Sequence, residues 1–335
     1  MKASSIKSEL ESYASTVNEF ILRSLEGKPK ELYQASSHLI RTGGKRLRPF
    51  MVIKSCEMLG GTVKRALPAA AAVELVHNFT LVHDDIMDND EMRHGTETVH
   101  RYYGIPLAIL AGDILFSKSF QLITFNGRKA GIPDGDITNM VTQLSRACTE
   151  ICEGQATDIG YASGSRLPSV QQYIDMIGKK TAALFEVSCA LGALSAPNHT
   201  ARDIQNLSSF GRNIGIAFQL VDDLIGVVGD PKLTGKAAGN DIREGKKTYP
   251  ILLALKNAKG EDKDAILKIF GSKSASGADI REAVKVISDI GIDQDVRDEA
   301  RKYMNDALKA IEGYGDSDAR RSLQFSADFV VGRSL

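Results

Sequence analysis

The sequence predicts an all-α fold, a bundle of helices forming one continuous domain over residues 1–335. Three observations carry that expectation. Apolar residues recur at three- and four-residue steps almost throughout, the period of one face of a helix. No run of alternating β-branched residues bounded by hairpin turns accompanies them, and the one Asn-Gly pair, Asn126-Gly127, falls in a loop. The apolar fraction of 43%, with 25% charged residues, is that of an ordinary globular chain and excludes a disordered or collagen-like one.

The elements follow in order. Leu10, Tyr13, Val17, Phe20, Ile21 and Leu25 mark a first helix, which Gly27 and Pro29 stop. Ala66 to Val76 is a nearly uncharged apolar run; Pro68 and Glu74 interrupt it, and it is well short of the ~20 residues a membrane-spanning helix needs. NGRKAGIPDGD (126–136), GDPKLTGKAAGN (229–240) and GSKSASGAD (271–279) are polar breaks rich in Gly, Pro and charge. Between them, Leu207, Phe210, Ile214, Phe218, Val221, Ile225 and Val228 trace a long helix, and Val296, Ala300, Tyr303, Ala307 and Ile311 another. None of the breaks is long enough to separate two domains, and no fixed-period repeat is present.

Charge and cysteine content narrow the function classes. Lys+Arg and Asp+Glu both number 42, so the chain lacks the basic excess of a general nucleic-acid binder. Four cysteines without a Cys-x-x-Cys pair do not make a disulfide framework, and Cys148 and Cys152, which share a helix face, are expected to be packing residues. The first twenty residues carry Glu9, Glu11 and Glu19 and no apolar core, unlike a signal peptide. A cytoplasmic protein without a membrane segment is expected.

The informative chemistry is acidic. HNFTLVHDDIMDND sets Asp84, Asp85 and Asp88 directly after an apolar stretch. Asp84 and Asp88, four apart on a helix, lie one above the other with roughly 5–6 Å between Cβ atoms, where two carboxylates repel. FQLVDDLIGVVGD places Asp222 and Asp223 on the long apolar helix, with Asp230 seven residues after Asp223. A hard divalent cation relieves such repulsion: Mg²⁺ prefers oxygen ligands and is usually held by one or two carboxylates plus substrate phosphates. Two such clusters facing each other across a bundle would grip a diphosphate.

Phosphates also need donors. GGKRLRP (43–49) offers Lys45, Arg46 and Arg48 behind two glycines, but it is no P-loop, so nucleotide binding is not indicated. Arg93 and His94, Lys179, Lys180 and Thr181, Lys236, and Lys246, Lys247 and Thr248 are further candidates. His77 precedes Asp84 by seven residues, about 20° around an ideal helix and so on the carboxylate face.

GGKRLRP, HDDIMD followed by Arg93, GKKTAALF, FQLVDD and REGKKTYP, in this order, resemble the trans-polyprenyl diphosphate synthases over about Gly43 to Pro250. The combination with NDIREGKKT is most similar to archaeal short-chain members. The resemblance implies a bundle of long helices around a deep central cavity, a homodimer, and head-to-tail condensation of allylic diphosphates (dimethylallyl, geranyl, farnesyl) with isopentenyl diphosphate. It implies a catalytic set of Asp84, Asp85, Asp88, Asp222, Asp223 and Lys180, with Asp84, Asp88 and Asp222 holding two or three Mg²⁺ ions. It further implies that Lys45, Arg48, His77 and His94 bind isopentenyl diphosphate, and that Arg93, Lys180, Thr181, Gln219, Lys236 and Lys246 contact the allylic diphosphate.

Two departures stand out. His94 replaces the second Arg that often follows Arg93, and Gly226 stands where many members have a third Asp. Asp230 is a candidate substitute, although Gly229 and Pro231 point to a helix ending there. The side chains just before the first cluster form the product-pocket floor in this family. Phe79, five before Asp84, resembles the bulky residue of short-chain enzymes, with Thr80 beside it. An ideal helix puts Phe79 about 140° from Asp84 and Thr80 within about 40°, so Phe79 floors the pocket only if the cavity curves around the helix. A C20 product, geranylgeranyl diphosphate, is expected, with C15 farnesyl diphosphate as the alternative. More distant alternatives are a terpene cyclase and an inactive synthase subunit.

Overall fold

The computed structural model describes residues 3–93, 95–164, 166–229, 239–272 and 274–332. In chain order it has α1 (Ala3–Ser24), α2 (Lys30–Arg41), α3 (Leu47–Met58) and α4 (Val63–Asp88), then a two-rung ribbon, β1 (Met92–Arg93) and β2 (Thr96–Glu97). Next come α5 (Val99–Tyr103), α6 (Ile105–Gln121), α7 (Asp134–Ser163), α8 (Val170–Ile177), α9 (Ala183–Ser195) and α10 (Ala201–Val228). The chain ends with α11 (Asn240–Glu244), α12 (Tyr249–Asn257), α13 (Gly260–Ile269), α14 (Gly277–Asp289), α15 (Ile292–Ala310) and α16 (Asp318–Val331). Helix α6 continues through a π-turn, Leu122–Asn126, into a last turn at Gly127–Lys129, and a second π-turn, Gly178–Ala182, joins α8 to α9. The all-α expectation holds, with the ribbon the only sheet among the described residues.

Local sequence explains the boundaries that matter for function. Helix α1 stops before Gly27, and Pro29 caps α2. Helix α4 ends because Asn89 turns left-handed (φ 54°, ψ 39°), a conformation Asn tolerates and helix ends use. Asp84 to Asp88 therefore form its last turn. Ser169 and Gln172 make a reciprocal capping box at the start of α8, and Ser276 and Asp279 make another at α14.

The chain divides into two compact units. The first comprises residues 1–148, 184–208 and 313–326, the second 149–183, 209–312 and 327–335, and α7, α10 and α16 have residues in both. In the first unit α4 is the central helix, flanked by α3 and α6. Ala69 to Val76 are buried all round, as a helix with no polar face must be. Leu75 of α4 is fully buried, as are Phe50, Leu115, Ile123 and Phe185 around it. Gly192 of α9 meets α3 so closely that a Cβ there would lie 2.4 Å from the Val52 carbonyl oxygen.

Among the described residues, Ile105–Lys129 and not Ala66–Val76 is the one stretch long and apolar enough to cross a membrane by length and composition. Ala108, Ala111 and Leu115 of α6 are buried, whereas Ile105, Ile109 and Leu110 are exposed. In the second unit, Phe210, Ile214, Leu220 and Leu224 of α10 are buried, as are Ile251 of α12 and Val296 and Ala300 of α15. Cys148 is a buried packing residue as expected, Cys56 and Cys189 are buried as well, but Cys152 is exposed, against the expectation.

Candidate active site

In the first unit, three aspartates in one helical turn meet three environments. Asp84 is half-buried, Asp85 buried and Asp88 exposed. The C-terminus of a helix carries partial negative charge, so a pair of carboxylates there needs a cation more than one elsewhere. Asp85 turns inward, where Arg93 of β1 donates to its Oδ1 from Nε and Nη2, both at 2.7 Å. Burial raises the Asp85 carboxyl above its ordinary value, and Arg93 opposes the rise. Arg93 is thus placed on Asp85 by the ribbon whose turn holds His94, a residue outside the described ones.

Two turns earlier on α4, His77 Nε2 lies 3.4 Å from Arg48 Nη1, and the Arg48 guanidinium covers the Phe185 ring at 4.2 Å. Lys45 is exposed behind Gly43 and Gly44, whose φ values of 90° and 142° only glycine adopts readily. Arg46, between them, is buried instead. The Phe79 ring leans on Phe116 of α6 (centroids 5.3 Å apart), Phe116 on Phe120 (5.1 Å), and His83 meets Phe79 edge-on. The Thr80 hydroxyl donates to the His77 carbonyl. Phe116 and Phe120 were not singled out by the sequence; their spacing on α6 is an ordinary core pattern.

The second unit builds a chain of hydrogen bonds. The Thr181 hydroxyl donates to Gln219 Oε1 (2.8 Å), Gln219 Nε2 donates to Asp223 Oδ1 (2.9 Å), and the Tyr173 hydroxyl donates to Asp223 Oδ2 (2.6 Å). Burial pushes the Asp223 carboxyl up to about 7, against the pull of Tyr173 and Gln219. Asp222, about 100° further back around the helix, is exposed. The two neighbours therefore divide the work: Asp223 orders the interior and Asp222 is presented outward. Lys180 Nζ lies 2.5 Å from Asp158, and Lys179 pairs with Glu153. Lys247 donates to the Tyr161 carbonyl in the last turn of α7 and to the Gly164 and Arg166 carbonyls past its end, while Lys246 reaches Glu244 (2.9 Å) and Asp241 (3.5 Å).

Gly226 has a reason. A Cβ there would stand 2.2 Å from Asp241 Oδ2, so the carboxylate of Asp241 fills the place beside it. Asp241 sits in the NDIREGKKT motif, but nothing in the sequence says that it reaches Gly226. Asp230 and Lys236 lie outside the described residues. Tyr173 and Asp158, likewise missed, have no local signature.

Among the described residues no three His, Cys, Asp or Glu side chains group to hold a metal by themselves. Mg²⁺ bound by one or two carboxylates and completed by phosphate oxygens needs no such group, and the oxygen donors of Asp84, Asp88 and Asp222 are of the type it takes.

A polyprenyl synthetase family model matches residues 29–287. The chain is 42% identical over 320 residues to a geranylgeranyl diphosphate synthase of Sulfolobus acidocaldarius, covering 95% of this chain and 96% of that one. It is 38% identical to a geranylfarnesyl diphosphate synthase of Aeropyrum pernix, covering 95% and 99%. Its structure is similar to the crystal structure of a geranylgeranyl pyrophosphate synthetase from Pyrococcus horikoshii, with a TM-score of 0.92, 39% identity and full coverage of both chains.

Proposed function

The chain belongs to the polyprenyl synthetase family, and we propose that it is a trans-prenyltransferase joining isopentenyl diphosphate head-to-tail to allylic diphosphates, with geranylgeranyl diphosphate (C20) as its product. The observation that carries this is the likeness along nearly the whole chain to synthases of that product. The family match takes in parts of both compact units, which supports treating residues 1–335 as one polyprenyl synthase domain.

Enzymes of this family are generally Mg²⁺-dependent, and two or three ions per site are proposed here. Asp84, Asp88 and Asp222 are the proposed ligands. Bound Mg²⁺ supplies positive charge that stabilises the departing diphosphate. The cations of the chain do the rest of the binding. Lys45, Arg48, His77 and His94 are proposed to hold isopentenyl diphosphate. Lys180, Thr181, Gln219, Lys236 and Lys246 are proposed to hold the allylic diphosphate, with Arg93 acting from its place on Asp85. As the allylic carbon–oxygen bond breaks, charge grows on the leaving diphosphate, and preorganised donors stabilise it most at that point. The isopentenyl double bond attacks the allylic cation, and a proton leaves to the diphosphate. No nucleophilic side chain is required, but water must be excluded because it would capture the cation.

A cytoplasmic homodimer completes the proposal. The exposed Ile105, Ile109 and Leu110 of α6 support the second copy, since such contiguous apolar surface marks an interaction site.

The test is a chain-length assay with isopentenyl diphosphate and Mg²⁺ and, separately, dimethylallyl, geranyl and farnesyl diphosphate. A C20 endpoint from all three is expected. Chelation of the metal, or Asp84→Ala in a folded protein, is expected to cut turnover roughly a hundredfold or more. A C15 or C25 endpoint would keep the chemistry and discard the pocket depth. A product formed without isopentenyl diphosphate would favour a cyclase.

A further inference from the structure

GGKRLRP places three cations within four residues, and the middle one is turned away from the other two. Arg46 is the residue before α3 and holds φ 51°, ψ 39°, a left-handed conformation that is costly for any residue with a Cβ. Its guanidinium keeps it there. Nη1 donates to Glu74 Oε1 (2.7 Å), Nη2 to the Ile40 carbonyl (2.9 Å) and Nε to Asn18 Oδ1 (2.8 Å). The acceptors belong to α4, α2 and α1, so one side chain ties the loop to three helices. Arg46 and Glu74 are 6% and 2% exposed, and the Asn78 amide donates to the same Glu74 oxygen.

Glu74 serves more than Arg46. Burial raises its carboxyl, and both Arg46 and Arg48 act against that rise, so one buried carboxylate balances two guanidiniums that otherwise repel. On α4, His77 follows Glu74 by three residues, on the same side of the helix, and meets Arg48. The loop is thus anchored to α4 one turn before the point where Arg48 reaches His77.

We infer that Arg46 and Glu74 are a buried positioning pair for the isopentenyl diphosphate subsite, fixing Lys45 and Arg48 of the loop in register with His77 of α4. This inference rests on the proposed reading of Lys45, Arg48 and His77. Stability alone does not call for such a pair, because well-packed apolar residues of similar volume commonly replace a buried ion pair without loss. Apolar residues cannot reproduce the three-way donor geometry that sets the loop.

Steady-state kinetics with each substrate varied in turn, together with thermal unfolding, provide the test. The double variant Arg46→Met/Glu74→Leu is expected to stay folded and to raise KM for isopentenyl diphosphate about tenfold, the equivalent of one lost hydrogen bond to a charged group. KM for farnesyl diphosphate is expected to stay as it was. Arg46→Lys keeps the charge and loses the planar fork, so it is expected to raise the same KM by a smaller factor. It also carries the test should the double variant not fold. Arg48→Ala is the reference. If it raises KM for isopentenyl diphosphate while the Arg46 variants leave that KM unchanged, the positioning role is overturned and the subsite stands. If Arg48→Ala itself leaves that KM unchanged, the subsite reading fails and this inference falls with it.

Discussion

Asp85 and Asp223 show how little a residue's type says about its task. Each sits beside a less buried aspartate, Asp84 or Asp222, and each is buried: Asp85 on Arg93, Asp223 between Tyr173 and Gln219. The adjacent carboxylates in the sequence are legible as a cluster, but which one faces inward depends on helix phase and on partners 4 to 50 residues away. Phe79 is the opposite case. Its position before the cluster was readable, and packing adds Phe116 and Phe120 behind it at ring spacings of 5.3 and 5.1 Å. Phe79→Ala is therefore expected to lengthen the product by one isoprene unit, with Phe116 as the next stop. The products extracted and separated by chain length decide it, and an unchanged C20 endpoint would remove Phe79 from the pocket floor.

Two elements depend on contacts that a single side chain upsets. The π-turn Gly178–Ala182 carries Lys180 and Thr181, and Gly154 of α7 lets it approach: a Cβ there would stand 2.3 Å from the Lys180 backbone nitrogen. Backbone cannot yield as a side-chain tip can. Gly154→Ala is expected to cost about 1–3 kcal/mol, the usual range for overpacking, and to raise KM for the allylic substrate. Thermal unfolding and steady-state kinetics measure the two effects. At the start of α14, Lys268 and then Ser276 hold the Asp279 carboxyl down at about 2, from an ordinary 3.8. Because this folded-state value is depressed, the stabilisation is complete above the ordinary value and is lost as pH falls through the folded one. An NMR titration of Asp279 is expected to show a midpoint near 2, moving upward in Lys268→Met. The capping box itself was not anticipated, although Ser276 and Asp279 lie in a break recognised by composition.

For the whole molecule, the exposed Ile105, Ile109 and Leu110 of α6 are where the proposed dimer would form. Light scattering is expected to give twice the chain mass, and Ile109→Lys/Leu110→Lys is expected to give single chains. A monomer in both cases would refute the dimer, and sedimentation with lipid vesicles would then show whether Ile105–Lys129 meets a membrane instead. The all-α class, the order of the motifs and the two acidic clusters are legible along the chain, because helical periodicity and local spacing are properties of neighbouring residues. That Arg46 is buried while Lys45 is exposed, that Asp241 fills the place beside Gly226 and that Asp223 pairs with Tyr173 emerge only on packing. Those outcomes depend on which groups lose water together, and residues far apart in sequence settle that only when the helices pack.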